Sequence, residues 1–238
     1  MTELRDIWAY LNETPLLHLT ITLAAFQLAG WVYEKASFNP LLNPVLLTVI
    51  LVVSFLLLSG TDYREYFEGA KFIHFLLGPA TVALAIPLYK QFQRVRQSGL
   101  AIGLSILAGS MTATVTAVGV GYLLNGSPDI LISLAPKSVT APVAMGISEQ
   151  LGGLPSLTAV LVLLTGILGA VLGPFVLDLM KETDWPVRGL AIGLAAHGIG
   201  TARAMQVNSV AGAFAGLAMG LNALATAILL PVVWGWFF

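Results

Sequence analysis

The sequence predicts an all-α, polytopic integral membrane protein with about eight membrane segments, inverted repeats and two broken helices. Apolar residues make up 57% of the chain and charged residues 10%, with a mean hydropathy of +0.88. So few polar side chains cannot coat a soluble domain of 238 residues. In addition, a set of short motifs occurs twice, and two apolar stretches are interrupted by Pro or Gly beside a cation.

The number of membrane segments follows from the apolar runs, because a spanning helix needs roughly 20 mostly apolar residues. Eight segments approach that length, at 16–33, 44–59, 72–88, 99–124, 130–150, 155–180, 187–205 and 210–237. We predict spans 1 and 2 with a connecting loop at 1–71. A first repeat follows at 72–154, with its broken segment at 130–150, and a second at 155–238, with its broken segment at 187–205.

The distribution of charge predicts the orientation. The first 15 residues are too acidic for a cleaved signal peptide, so the first span is expected to be retained in a bacterial inner membrane. The loop after the third span carries Lys90, Arg94 and Arg96, which places it in the cytoplasm by the positive-inside rule. Eight single passes then place both termini and the loop from Lys181 to Arg188 outside. If 125–154 is a re-entrant hairpin instead, the orientation of everything after it is reversed.

The repeat is carried by the hexapeptide Gly-Leu-Ala-Ile-Gly-Leu at 99–104 and 189–194. In both halves Leu-Gly-Pro precedes it, and Ser-Val and then Ala-Met-Gly follow. Consecutive units of three spans have opposite topology, as in many secondary transporters. The Leu-Gly-Pro residues are predicted hinges or helix-packing points: Gly78, Pro79, Gly173 and Pro174.

The first broken segment contains Pro136 and Pro142, which remove amide donors and clash with preceding carbonyls inside an apolar run. Lys137, Ser138 and Thr140 lie between them. The second contains Gly198 and Gly200, which loosen a helix at the point where His197, Thr201 and Arg203 occur.

These two segments predict an anion site. A cation at membrane depth costs about 2.5–3.5 kcal/mol and requires partners, yet the acids near the spans, Asp129, Glu149 and Asp178, lie at segment ends. A small carboxylate suits Lys137, Arg203 and hydroxyl donors from Ser138, Thr140 and Thr201. Alternatively, each cation extends to an interface or caps helix carbonyls.

Other polar residues near the second break allow further roles. His197 is expected either to titrate with substrate or a coupling proton, or to act as a packed hydrogen-bond donor. Gln206, Asn208 and Asn222 are neutral groups that could bind substrate.

Several function classes are excluded at this level. No His, Asp and Glu set has metal-ligand spacing and no phosphate-binding loop occurs, so we expect no enzyme, catalytic residue, metal or cofactor. A net charge of −1 and a pI near 6.3 give no basic footprint for nucleic acid. The expected partners are the lipid bilayer and a second copy of the chain. Gly212, Gly216 and Gly220 have the spacing of close helix contacts, either within the chain or between protomers.

Three stretches resemble the CidB/LrgB family closely. They are 76–85 with Pro87-Leu88-Tyr89, the Ala-Pro-Lys-Ser-Val-Thr run at 135–140 with Pro142, and His197-Gly198 with 200–204. The resemblance runs in register from about residue 40 to the C-terminus.

The resemblance implies two functions. One is a holin- or antiholin-like role that controls murein hydrolases and autolysis with a small CidA/LrgA-type membrane partner. The other is transport of small carboxylates (glycolate, glycerate, lactate or pyruvate), since plant members are plastid glycolate/glycerate translocators. The broken segments favour transport by alternating access.

One departure from the family concerns coupling. Relatives carry an acidic residue before the Gly-Ala-Phe at 212–214, and this chain has Ala211 there. If that acid carries a coupling proton in those relatives, this chain lacks the group.

Overall fold

A computed structural model describes residues 15–36, 38–39, 42–76, 79, 82–83 and 85–237. Within these ranges the regular elements are all helices. Four are long and apolar enough to cross a membrane, at Leu16–Lys35, Gly99–Leu123, Pro155–Leu179 and Ser209–Gly235, and Pro44–Ser59 is a shorter apolar helix. The all-α membrane fold is confirmed, whereas the count of eight spans is not.

The chain divides into two compact units, Met1–Ala83 and Leu84–Phe238. The first contains α1 (Pro15–Lys35), α2 (Pro44–Ser59) and α3 (Tyr63–Phe75). Asn43 begins α2 by accepting hydrogen bonds from the N–H groups of Val45 and Leu46, and Gly60 ends it in the left-handed conformation.

The connecting segment after α2 was predicted as a loop, but residues 63–71 belong to α3. Tyr66 turns inward: its hydroxyl lies 2.8 Å from Thr22 Oγ1, and its ring makes an edge contact with buried His18. Aromatic residues packed against α1 therefore stabilise a helix in a segment whose charges suggested a loop.

The second unit contains eight described helices. They are α4 (Ala85–Lys90), α5 (Phe92–Gln97), α6 (Gly99–Leu123), α7 (Pro128–Leu134), α8 (Ala141–Leu151), α9 (Pro155–Leu179), α10 (Trp185–Val207) and α11 (Ser209–Phe237).

Helices α7 and α8 fold back on each other as a hairpin, which we call hairpin 1. The N–H of Leu154, just past α8, donates to Ser133 Oγ near the end of α7 at 2.8 Å. Thr158 Oγ1 in α9 donates to Ser148 Oγ in α8 at 2.8 Å. The chain thus comes back alongside α7 before α9 begins, and residues 128–154 form a hairpin, as expected for a re-entrant segment.

Helix α10 is also a hairpin, which we call hairpin 2. Gly189 and Gly193 lie against the backbones of Ala211 and Ala215, so the first arm (185–196) runs parallel to α11. Met205 lies against Gly212 and Thr201 against Met219, so the second arm (198–207) runs antiparallel to α11. The two arms are therefore antiparallel to each other.

The hairpins enter the bundle from opposite ends. The first arm of hairpin 2 runs antiparallel to α9, since Gly169 lies against Ala196 and the Arg188 guanidinium pairs with Asp178 at 2.7 Å. Hairpin 1 thus begins where α6 ends, and hairpin 2 begins at the other end, where α9 ends. Each is followed by a long helix, which is an inverted arrangement.

Apart from Lys137 and Arg203, the cations of the second unit all lie in the two segments that meet at one end of the bundle. These segments hold Lys90, Arg94, Arg96, Lys181 and Arg188, and we call this end the basic end. Arg94 and Asp184 line one cavity there, which places the starts of α6 and α10 together. The positive-inside rule predicts that the basic end faces the cytoplasm. The loop from Lys181 to Arg188 then lies inside, opposite to its placement in the eight-pass threading.

Candidate functional site

The turns of the two hairpins meet at α11. We call residues 135–140 tip 1 and residues 196–198 tip 2. The Asn222 side-chain nitrogen donates to the carbonyl of Ser138 in tip 1 at 3.1 Å and to that of Leu194, just before tip 2, at 3.2 Å. Val139, Ala144 and Val162 form a buried cluster beside them. The two predicted broken segments thus come together.

Tip 1 owes its shape to proline. Pro136 is buried, and its ring would clash with the carbonyl of residue 132 if α7 continued. The chain makes tight turns instead, with the Lys137 N–H donating to the Leu134 carbonyl and the Val139 N–H to that of Pro136, each at 3.2 Å. Pro142 then lies in the first turn of α8, where a missing N–H costs nothing. Pro136 therefore ends one helix and Pro142 begins the next.

Lys137 is half-buried at tip 1. Its ammonium makes a long hydrogen bond, 3.5 Å, to the hydroxyl of its neighbour Ser138. In the described part of the chain the ion pairs are Lys71 with Glu68 and Arg188 with Asp178, so Lys137 has no carboxylate partner there. Tip 1 therefore presents a cation with unused donor capacity.

Thr140 is the N-cap residue of α8, and its side chain makes no capping hydrogen bond. The start of an 11-residue helix thus points at tip 1, where its partial positive charge adds to that of Lys137.

Tip 2 turns at His197, whose φ of 40° and ψ of −130° are not helical. A carbonyl oxygen only accepts, so His197 Nε2 carries the proton that it donates to the Val162 carbonyl at 2.9 Å. The ring is buried against Gly166, where a Cβ would lie 2.7 Å from Cε1. His197 therefore fits the packed hydrogen-bond donor that was one of its two expected roles.

The predicted helix break at Gly198 and Gly200 is displaced to His197. Gly200 instead allows close packing after the turn, because a Cβ there would lie 2.5 Å from Ala196 Cβ and 2.9 Å from the Ile192 carbonyl oxygen. The nearest atom to a Cβ at Gly198 is Met219 Sδ, at 3.9 Å. Gly200 therefore lets the second arm approach the first, whereas Gly198 is not needed for this contact.

The remaining predicted residues of the second broken segment, Thr201 and Arg203, differ in their contacts. Thr201 is buried and donates its hydroxyl proton to the His197 carbonyl at 2.7 Å. Arg203 is half-buried in the second arm, six residues beyond His197, which is about 9 Å at 1.5 Å per residue. Arg203 thus lies on the basic-end side of tip 2, and its role in holding a carboxylate stays a prediction.

The Leu-Gly-Pro positions are described completely in the second half only. Pro174 lies inside α9, and a Cβ at Gly173 would lie 3.6 Å from Ile192 of hairpin 2, an ordinary packing distance. Pro79 is described as an exposed helical residue, and Gly78 lies outside the described residues.

Most of the contacts that close the site cannot be predicted from the sequence. Neither the two carbonyls held by Asn222 nor the Thr158–Ser148 bond follows from local spacing. Gly189 and Gly193 are the glycines of the second hexapeptide, and their tight packing could have been suspected from the spacing of four. Gly212 packs on Met205 within the chain, so this part of its small-residue pattern serves an internal contact.

A cavity of about 410 Å³ opens at the basic end. Its polar lining includes Arg94, Gln97 and Ser105, and Asp184 lies on the wall formed by hairpin 2. Ile102, Leu190 and Phe214 are among its apolar lining residues. Within the described ranges, no three His, Asp or Glu side chains are grouped to hold a metal ion.

These features define a multi-pass membrane protein with two hairpins in an inverted arrangement, whose tips hold polar groups inside the bundle. The family model of the LrgB-like family matches residues 22–236, and the chain belongs to that family. The hairpins and both tips lie inside the matched range.

Curated relatives cover nearly the whole chain. An uncharacterized protein YwbG of Bacillus subtilis is 36% identical over 91% of this chain and 96% of its own length. The holin-like protein CidB of Staphylococcus epidermidis is 32% identical over 94% of this chain and 96% of its own. CidB of Staphylococcus aureus is 32% identical over 92% and 95%. No solved structure matches the chain significantly. Together with the apolar helices, these relatives make the chain a multi-pass bacterial membrane protein.

Proposed function

We propose that this protein carries small 2-hydroxy or 2-oxo monocarboxylates across the membrane by alternating access, with the carboxylate bound at the hairpin tips. The observation that supports this most directly is Lys137, a half-buried cation inside an apolar bundle, with a single long hydrogen bond and no carboxylate partner among the described residues. A buried charge requires a counter-charge. A ligand carboxylate supplies it.

The surroundings of Lys137 suit one carboxylate and one neighbouring oxygen. The uncapped start of α8 adds N–H donors, and the Thr140 side chain is not used as a cap. Ser138 is a second hydroxyl within reach of Lys137. Glycolate, glycerate, lactate and pyruvate share this pattern of oxygens, and Arg203 is the second predicted cation.

The inverted hairpins support alternating access. Broken helices that meet near the midplane recur in secondary transporters, where repeats of opposite topology rock around a fixed site. Each hairpin of this chain covers the site from one end of the bundle. Movement of one hairpin at a time would expose the same tips to either side.

A holin-like role is the second candidate, and the names of the CidB relatives favour it. In that role the protein would modulate murein hydrolases together with a small CidA/LrgA-type membrane partner. A lesion wide enough for large solutes has no need of a cation at a hairpin tip, so the two candidates predict different dependence on Lys137.

The test is uptake of labelled glycolate and pyruvate into liposomes that hold the purified chain and a trapped dye. Saturable uptake without dye loss is expected. Lys137→Gln should lower uptake about tenfold or more, because a lost charge-assisted hydrogen bond is worth about 1.5–3 kcal/mol. Lys90→Gln is the matched control, since Lys90 is exposed outside the hairpins. Dye loss that both variants retain would instead support the holin-like role.

A further inference from the structure

Asn222 lies in the middle of α11 and is only 1% exposed. Both protons of its amide are engaged, one with the Ser138 carbonyl at 3.1 Å and one with the Leu194 carbonyl at 3.2 Å. A group whose donors are already used by the protein does not bind substrate with them. The expectation from the sequence that Asn222 binds substrate is therefore replaced by a different role for this side chain.

The carbonyls of Ser138 and Leu194 both lack the hydrogen-bond donor that a helix would supply. In a continuous helix each would accept from the N–H four residues later. For Ser138 that residue is Pro142, which has no N–H. For Leu194 it is Gly198, which lies beyond the turn at His197. Each helix break thus removes a carbonyl's ordinary donor, and a buried carbonyl without one costs roughly 1–3 kcal/mol.

We propose that Asn222 is a positioning residue that ties the two hairpin tips to α11 and to each other, and so sets the width of the carboxylate site between them. This rests on the proposed function for the ligand, but the tie itself is a property of the protein alone. The hairpins come from opposite ends of the bundle, and the two bonds of one amide group connect them.

The tie extends further into the bundle. Thr226, one turn along α11, donates to the Asn222 side-chain oxygen at 3.5 Å, and its hydroxyl lies 3.1 Å from that of Ser110 in α6. All three side chains are buried. This chain of polar groups fixes the plane of the amide, so that both N–H groups face the tips.

The experiment measures the distance between the hairpins directly. The chain has no cysteine, so Gly146→Cys in hairpin 1 and Ala195→Cys in hairpin 2, both exposed positions, carry a single pair of spin labels. Pulsed electron resonance is recorded on the full chain in nanodiscs without substrate. Binding of glycolate is measured on the same samples by calorimetry.

Asn222→Leu keeps the volume of the side chain and removes both donors. We expect a longer and broader label distance and glycolate affinity at least about tenfold weaker. Asn43→Ala is the matched control: Asn43 is also a buried asparagine, and it caps the start of α2 in the first unit through the N–H groups of Val45 and Leu46. It should lower thermal stability while leaving the label distance unchanged and the affinity within about twofold.

If Asn222→Leu does not fold, Thr226→Val serves as the second variant. It should broaden the distribution of label distances partially. A folded Asn222→Leu protein with the parental distribution would overturn the tie, and weaker binding in that protein would make Asn222 a ligand-binding group instead. If the parent binds no carboxylate, the proposed function fails, yet the label distances still decide whether Asn222 joins the tips.

Discussion

The two hairpins solve one problem, a chain reversal inside an apolar bundle, with different residues. Hairpin 1 reverses over six residues, 135–140, and uses Pro136 to end its first helix. Hairpin 2 reverses at the single residue His197. The longer turn leaves room for a lysine with free donors, whereas the sharp turn places a hydrogen-bonded ring at its tip.

The hairpins also differ in what holds their arms. Hydroxyl groups fasten hairpin 1, through Ser133 to the Leu154 N–H and through Ser148 to Thr158. Close backbone packing holds hairpin 2, where Gly189 and Gly193 leave no room for a Cβ beside α11. Hairpin 1 therefore relies on polar side chains, and hairpin 2 on the absence of side chains.

If both hairpins are re-entrant, each begins and ends on the same side of the membrane. This gives an all-or-none prediction. Single cysteines replace Ser127, Gln150, Gln97 and Thr183, which are exposed. An impermeant maleimide applied to spheroplasts should label the first two fully and the last two only after permeabilisation. Eight single passes would place Ser127 and Gln150 on opposite sides, so labelling of only one of them from outside contradicts the hairpins.

The next largest effect concerns the packing of hairpin 2. Gly193→Ala forces a methyl group into the backbone of Ala215, which cannot move aside like a flexible side chain, and should cost about 3 kcal/mol or more. Gly146→Ala in hairpin 1 meets nothing within 4 Å and should gain up to about 1 kcal/mol from helix propensity. Chemical unfolding in detergent measures both. Equal effects would mean that the hairpins are held in the same way.

The sequence predicted tip 1 nearly completely but not the direction of the chain after it. Pro136, Lys137 and Pro142 mark the break by themselves. A break does not determine whether the chain continues or returns, because that depends on bonds to distant residues such as Ser133 with Leu154. The predicted side of the loop from Lys181 to Arg188 depends on this one undetermined step.

The repeated hexapeptide also shows that local sequence does not determine long-range contacts. Its two copies are identical in sequence, yet Gly99 and Gly103 have open space around them in α6, while Gly189 and Gly193 are pressed against α11. Local sequence specified a helix in both places. The neighbouring helix, which a hexapeptide does not encode, decides which copy needs its glycines.

The smallest predicted effect concerns the turn of hairpin 2. A side chain at φ 40° and ψ −130° strains the backbone by about 1–3 kcal/mol, a conformation that glycine adopts freely. His197→Ala and His197→Gly both lose the bond to the Val162 carbonyl, but only glycine relieves the strain. We therefore expect His197→Gly to be more stable than His197→Ala by about 1–2 kcal/mol in thermal unfolding, the reverse of their order inside a helix. Alanine as the better substitute would mean that residue 197 continues a helix, and hairpin 2 would lose its turn.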